Sequence, residues 1–191
     1  ALERVNRILR FDLGRDGVRA RGAEVPVPPE FGKLPFNRGV EALLVVPKGR
    51  RLAGTLIAIS EAALDAAGNI RGFLIGGPSP GRFSVRRTAN YDVSDTALLP
   101  SGDILLLERK FSILEGAGIR IRRIRLAAVA PDALLDGPVI FEADLGYEID
   151  NMEGLDVHVA PSGDTVLTMV SDDNFSLIQR TLLLQFTLAG E

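Results

Sequence analysis

Residues 150–180 read DNMEGLDVHVAPSGDTVLTMVSDDNFSLIQR, and the plan of this stretch sets the fold of the whole chain. It opens on acids, alternates polar and apolar residues through LDVHVA, reverses at Pro161-Ser162-Gly163-Asp164 and returns through TVLTMV to Ser171-Asp172-Asp173. Alternation with a period of two on both sides of a Pro- and Gly-containing turn is the mark of a β-hairpin. The same plan occurs twice earlier. EALLVV (Glu41–Val46) turns at Pro47-Lys48-Gly49-Arg50 and returns as LAGTLIAIS (Leu52–Ser60) to Glu61. DTALL, from Asp95, turns at Pro100-Ser101-Gly102-Asp103 and returns as ILLLE to Glu108.

Further strands follow each hairpin: Asn69–Ile75 and Phe83–Thr88 after the first, Ile119–Leu126 and Val139–Leu145 after the second, Arg180–Leu188 after the third. Ahead of them, Val5–Leu13 and Val18–Val27 flank a turn at Gly14–Gly17, and Pro28–Arg38 reads as a loop. The run EAALDAA (Glu61–Ala67) favours helix but is too short for an independent one, so it reads as a loop with at most one helical turn. The opening acids Glu41, Asp95 and Glu153 recur at a period of roughly 50 to 60 residues, the spacing of propeller blades built from four short strands. The expected fold is therefore all-β: a β-propeller portion of four-stranded antiparallel blades, about two full and two partial. Residues 1–191 form a single such domain in this reading, the C-terminal part of a longer propeller whose N-terminal segment closes the ring. The alternative is a β-sandwich, which gives no reason for the three matching turns.

Composition excludes several chemistries. There is no cysteine, so no disulfide, thiolate nucleophile or Cys-based metal site, and His158 is the one histidine, so a multi-His zinc site is excluded. No apolar run approaches the roughly 18 residues that a membrane-spanning helix needs. The net charge of −3 and interspersed charges predict no nucleic-acid partner. The basic run IRIRRIR (Ile119–Arg125) alternates like a strand with one buried face and one solvated Arg face.

Antiparallel pairing returns the end of each second strand to the start of the first. It predicts the pairs Glu41/Glu61, Asp95/Glu108 and Glu153/Asp172, converging at one mouth of a channel lined by the first strands. Clustered carboxylates repel unless cations or arginines offset them. Oxygen donors without His or Cys suit Ca²⁺, with Mg²⁺ as the alternative, and the expected metal ligands are Glu41, Asp95, Glu108, Glu153, Asp172 and Asp173. Arg109, Lys110 and Arg180 lie next to these acids and suit a phosphate or carboxylate, with Asn151, whose counterpart is Asn37, beside them. The competing reading makes the acids solvated caps of turns. Phe111 and Phe175 follow the acids at equivalent places, as core or rim packing. Gly77-Pro78-Ser79-Pro80-Gly81 matches G-x-S-x-G, but that elbow must lead from strand to helix, and FSVRR after it reads as a strand. His158 sits inside an alternating strand, as an ordinary strand residue.

The segments NMEGLDVHVAPSG, TMVSDDNFSLIQRTLLLQF and SGDILLLERKF, with VNRILRFDL and NRGVEALLVVPKG before them, resemble the phytase-like propeller family, the family with esterase-like activity of phytase. The resemblance implies an exported bacterial protein, periplasmic or secreted, acting on a small phosphate or carboxylate ester. From the family only the idea of an acidic mouth carries over; the leading reading of these residues is a metal-assisted phosphoesterase in which Glu153, Asp172 and Arg109 are catalytic, with Arg109 or Arg180 clamping the phosphate. The rival is a non-catalytic propeller binding a ligand or protein at the same mouth. Open strand edges in an isolated piece also predict self-association.

Overall fold

The computed structural model describes residues 1–2, 5–112 and 116–190. The N-terminal strands are short: β1 (Ile8–Arg10) pairs antiparallel with β2 (Ala23–Val25). The turn between them is a single helical turn, α1 (Leu13–Asp16), started by the Asp12 carboxylate accepting from the Arg15 N–H at 3.1 Å and followed by a 3₁₀ turn at Gly17–Arg19. The proline-rich loop that follows carries Phe31 and Leu34 into the interior, with a 3₁₀ turn at Phe31–Lys33.

Three antiparallel meanders make up the rest. The first runs β3 (Val40–Val45), β4 (Leu56–Leu64), β5 (Ile70–Ile75), β6 (Gly81–Val85). The second begins with β7 (Asp92–Leu98), β8 (Ile104–Ser112) and β9 (Gly116–Ile124). The chain then detours: β10 (Leu134–Leu135) adds to β6 as a parallel edge before β11 (Val139–Asp144) returns to pair with β9. Gly137 makes that return possible, because the Arg123 carbonyl oxygen leaves no room for a Cβ there. The third meander is β12 (Met152–Val159), β13 (Thr165–Ser171), β14 (Leu183–Leu188). None of the sheets closes into a barrel.

One expectation is corrected, and one is met. EAALDAA is not a loop: β4 continues through Leu64 beyond an irregularity after Ile59, and Ala62 and Ala63 are buried. Tertiary burial overrides the helix preference of alanine there. The Gly77–Gly81 run joins antiparallel β5 to β6, so Ser79 lies in a strand–strand loop and not on a nucleophile elbow.

Packing explains why the strands are apolar on both faces. Ile57, Ile59, Leu74 and Phe83 of the first sheet meet Val93, Ile104, Leu106 and Ile124 of the second in one buried cluster. The opposite face of the second sheet, with Leu105, Leu107, Ile119 and Ile121, meets Met152, Leu155, Leu167 and Met169 of the third. Ile8, Phe31 and Leu34 cover the outer face of the first sheet against Ala58 and Phe73. The sheets therefore stack in series, and the first strands adjoin one another, β3 against β7 and β7 against β12. A strand in the middle of such a stack has no solvent face. That is why Ile119–Arg125 does not show a solvated arginine face: Arg120 and Arg122 are 5% and 2% exposed.

Leu106→Ala, in the cluster between the first and second sheets, is expected to cost about 2–5 kcal/mol in urea unfolding. Val170→Thr, on the exposed face of the third sheet, is expected to stay within about 0.5 kcal/mol of the parent.

Candidate functional site

The three first strands share a local irregularity. Pairing slips between Val40 and Ala42, between Val93 and Asp95, and between Met152 and Gly154, so one residue in each strand has no partner across the ladder. These extra residues are Glu41, Ser94 and Glu153. A β-bulge of this kind re-aims the side chain it carries. Across from them, the Glu61 amide donates to the Gly39 carbonyl at 2.8 Å, Arg109 pairs with Asp92, and the Asp172 amide donates to the Asn151 carbonyl at 3.0 Å. At one end of the stack the equivalent positions are therefore Glu41, Ser94, Glu153 on the first strands and Glu61, Arg109, Asp172 on the second.

Arg109 joins all three sheets there. Its Nη2 donates to Oε1 of Glu61 in the first sheet at 3.0 Å. Its Nη1 donates to Oδ1 of Asn151 at 2.6 Å and lies 3.2 Å from Oε1 of Glu153, both on the third sheet's side. The Asn151 side-chain amide donates to the same Glu153 oxygen at 2.7 Å, which fixes both groups. These side chains are partly buried, with Arg109 28% exposed, so their ion pairs are less screened than surface ones. The Nε of Arg109 is buried without a hydrogen-bond partner among the described residues, as is the hydroxyl of Ser94.

The other residues anticipated at the mouth are placed elsewhere or held in other contacts. Glu108 pairs across with Val93, so its carboxylate points into the stack. It is fully buried between Arg120 Nε at 2.8 Å and Arg122 Nε at 2.7 Å, with Arg122 Nη2 on its other oxygen at 2.7 Å. Arg122 reaches onward to Asp136, which also pairs with Arg86. Asp95 accepts from the Thr96 and Leu155 amides, both at 2.7 Å, and so stitches β7 to β12. Burial pushes the Asp95 carboxyl upward, the two amides pull it down, and Asp156 adds a repulsion that raises it. Lys110 lies 5.1 Å over the Tyr91 ring, on the face opposite Arg109. Arg180 pairs with Glu148 at 2.7 Å, and its backbone amide donates to Asp150.

Asp172 and Asp173 cap their own loop. Asp172 accepts from the Asn174 amide at 2.9 Å, and Asp173 accepts from the Phe175 amide at 2.9 Å and the Thr181 hydroxyl at 3.1 Å. This is the turn-forming role of Asp in Asx turns. Phe111 and Phe175 are exposed, the rim option of the two foreseen, and His158 is exposed on the outer face of the third sheet. Asn37 lies two residues ahead of Gly39, which is the residue that matches Asn151 in the ladder.

With the carboxylates thus engaged by arginines and amides, no group of three or more Asp, Glu or His that could hold a metal ion is found among the described residues. Among the described residues, Glu41, Asp95, Glu108, Glu153, Asp172 and Asp173, the ligands expected for Ca²⁺ or Mg²⁺, are not brought together as one group. Ser94 was absent from the anticipated site, and Glu61 was placed at the mouth as the partner of Glu41 but given no role there. Glu61 was legible as a strand-end acid, whereas Ser94 has no signal in a single sequence. Glu108, an acid inside the apolar run ILLLE, was itself the signal for a buried counter-ion, and Arg120 and Arg122 two residues apart supply it.

An all-β stack of antiparallel sheets with a polar cluster at the end where its first strands meet defines the class of protein. A family model described as phytase-like, esterase-like activity of phytase, matches residues 1–175. The chain belongs to that family. No curated protein and no solved structure matches it. No helix among the described residues is long and apolar enough to cross a membrane, which says nothing of β-barrels.

Two measurements check the electrostatics. Glu108→Gln leaves two buried guanidinium groups short of a counter-charge, and an unfolding loss of about 3–5 kcal/mol is expected. Tyr91 donates to Glu142 at 3.0 Å, and burial, then that carboxylate, pushes its phenol up to about 12. A raised folded value means that the protonated phenol contributes stability in full below the unfolded value of about 10. That contribution is lost as pH rises through about 12. Tyr91→Phe is expected to flatten this alkaline loss in denaturation curves recorded across that range.

Proposed function

We propose that the chain is part of a β-propeller hydrolase of phosphate or carboxylate esters, with its site at the Glu61–Arg109–Asn151–Glu153 cluster. The observation that carries the reading is Arg109, whose guanidinium reaches carboxylates of two neighbouring sheets at the end where the first strands adjoin. Three meanders stacked face to face, each with its first strand beside the next, are what successive blades require. Family membership supports the ester as substrate class. An extracytoplasmic location follows from the same family reading.

In this mechanism Arg109 stabilises negative charge developing on the phosphoryl or carbonyl oxygen. Glu153, oriented by Asn151, takes a proton from the attacking water. Glu61 holds the guanidinium from the opposite side. No step is routed through Ca²⁺ here: Glu108 and Glu153 are paired with arginines, and Asp95, Asp172 and Asp173 accept from backbone amides. Asp172 lies one residue from the cluster and serves the loop at its edge.

One observation favours the non-catalytic alternative, a module that binds a ligand or protein. The loop after Asp172 is rooted by polar contacts yet presents Phe175, Leu177 and Ile178 almost entirely to solvent, beside the cluster. Full-length protein assayed on p-nitrophenyl phosphate and p-nitrophenyl acetate separates the two. Turnover is expected, with Arg109→Lys lowering kcat/KM by about 10²–10³ because a lysine cannot hold both sheets and donate from a fixed fork. Absence of turnover on both esters would leave the binding module as the answer.

A further inference from the structure

We infer that the Ser94 hydroxyl and the Arg109 Nε–H form a two-donor pocket for one oxygen of a tetrahedral oxyanion such as phosphate, a pocket that Glu61 and Glu153 keep closed until the anion displaces one of them from Arg109. The inference rests on the ester-hydrolase reading of this site and adds to it the recognition element and the order of events.

The first ground is donor satisfaction. Buried hydrogen-bonding groups are nearly always paired, and each unpaired one costs free energy that the fold must offset. Ser94 is 2% exposed, and its hydroxyl has no partner among the described residues. The Nε of Arg109 is in the same condition. The two lie on neighbouring strands: Arg109 is opposite Asp92, and Ser94 is the unpaired bulge residue two positions along β7 from Asp92. The other buried hydroxyl without a partner, Thr55, belongs to the far end of the first sheet, ahead of Leu56.

The second ground is the comparison within the repeat. The two positions equivalent to Ser94 carry Glu41 and Glu153. A third carboxylate would crowd negative charge against Glu61 and Glu153 and repel an anion. A serine at that bulge offers instead a short, neutral donor that points with the re-aimed side chain of the bulge.

The third ground is competition. Both Nη atoms of Arg109 already serve anionic or carbonyl oxygens of Glu61, Asn151 and Glu153. An incoming phosphate exchanges one carboxylate for another anion at the guanidinium and needs no new cation. The released carboxylate loses its positive neighbour, so its proton affinity rises at the moment when a base is needed. Nothing covalent happens in this step.

Phosphate binding to the full-length protein, followed by calorimetry, tests the inference without requiring turnover. Ser94→Ala is expected to weaken binding about 10-fold, with an unchanged or slightly higher Tm because an unsatisfied hydroxyl is removed. Glu61→Gln is expected to act in the opposite direction, tightening binding about 10-fold by removing the competing charge. A purely structural role for these residues does not predict tighter binding on losing an ion pair. Phosphate that fails to bind the parent protein, or binds Ser94→Ala as well as the parent, would overturn the pocket. So would weaker binding by Glu61→Gln, which also decides the matter if Ser94→Ala does not fold. Hydrolysis that Ser94→Ala leaves intact removes the pocket alone. Phosphate binding that depends on Ser94 in a protein with no turnover keeps the pocket and removes the hydrolase.

Discussion

The guanidinium of Arg109 touches side chains from the first and third sheets while belonging to the second. Sheets stacked only through apolar faces are free to slide, because dispersion and burial carry little directional preference. A planar group with donors in a fixed fork removes that freedom. Held by Glu61 on one side and by Asn151 with Glu153 on the other, Arg109 sets how far each sheet is displaced along its neighbour at the polar end. Asp95 does the same work nearby, by accepting the Leu155 amide across the second interface. The register between sheets is thus fixed by a few polar contacts, and the apolar clusters supply the bulk of the attraction.

Deeper in the second sheet, Glu108 shows how much charge such a stack tolerates. Burying one carboxylate beside two guanidinium groups is unfavourable unless every lone pair is used. Here both oxygens accept, and the surplus positive charge runs outward through Arg122 to Asp136 and Arg86. Arg120 in addition lies 4.2 Å over the Tyr91 ring, which is itself tied to Glu142. This network joins β8, β9 and β11, and Tyr91 just ahead of β7, by side chains as well as by the ladder. Arg109, at the centre of the polar cluster, lies on β8 of this same sheet.

The hairpins and their order were readable because alternation, turns and the repeat all point the same way. Strands β7, β8, β11, β12 and β13 fall close to where TALL, ILLLE, VIFEADL, LDVHVA and TVLTMV place them. The first and second sheets keep the expected four-strand meander, and the third shows its three strands. The site was legible only coarsely, as a mouth where strand ends meet. Each bulge adds one residue to the first strand, and a single-residue shift turns a side chain to the other face. Asp95 was therefore read in the place of Ser94, and Glu108 in the place of Arg109. Arg120 and Arg122 were read as solvated because alternation reveals a strand but not whether a second sheet covers it. The short β10 was invisible, since two residues carry no periodicity and their partner strand lies about 50 residues earlier.

The three sheets repeat one backbone and vary the side chains at two positions on it. At the bulge the repeat carries glutamate, serine, glutamate, and across the hairpin glutamate, arginine, aspartate. A strict repeat with acids at every position would gather carboxylates that repel one another unless a metal ion held them. The middle sheet breaks the pattern at both positions, placing a cation and a neutral donor where its neighbours place acids. That substitution sets an internal cation between the acids of the neighbouring sheets. A departure from symmetry is the physical content of a site on a repeat fold, because identical side chains around an axis cannot distinguish a nucleophile's side from a leaving group's.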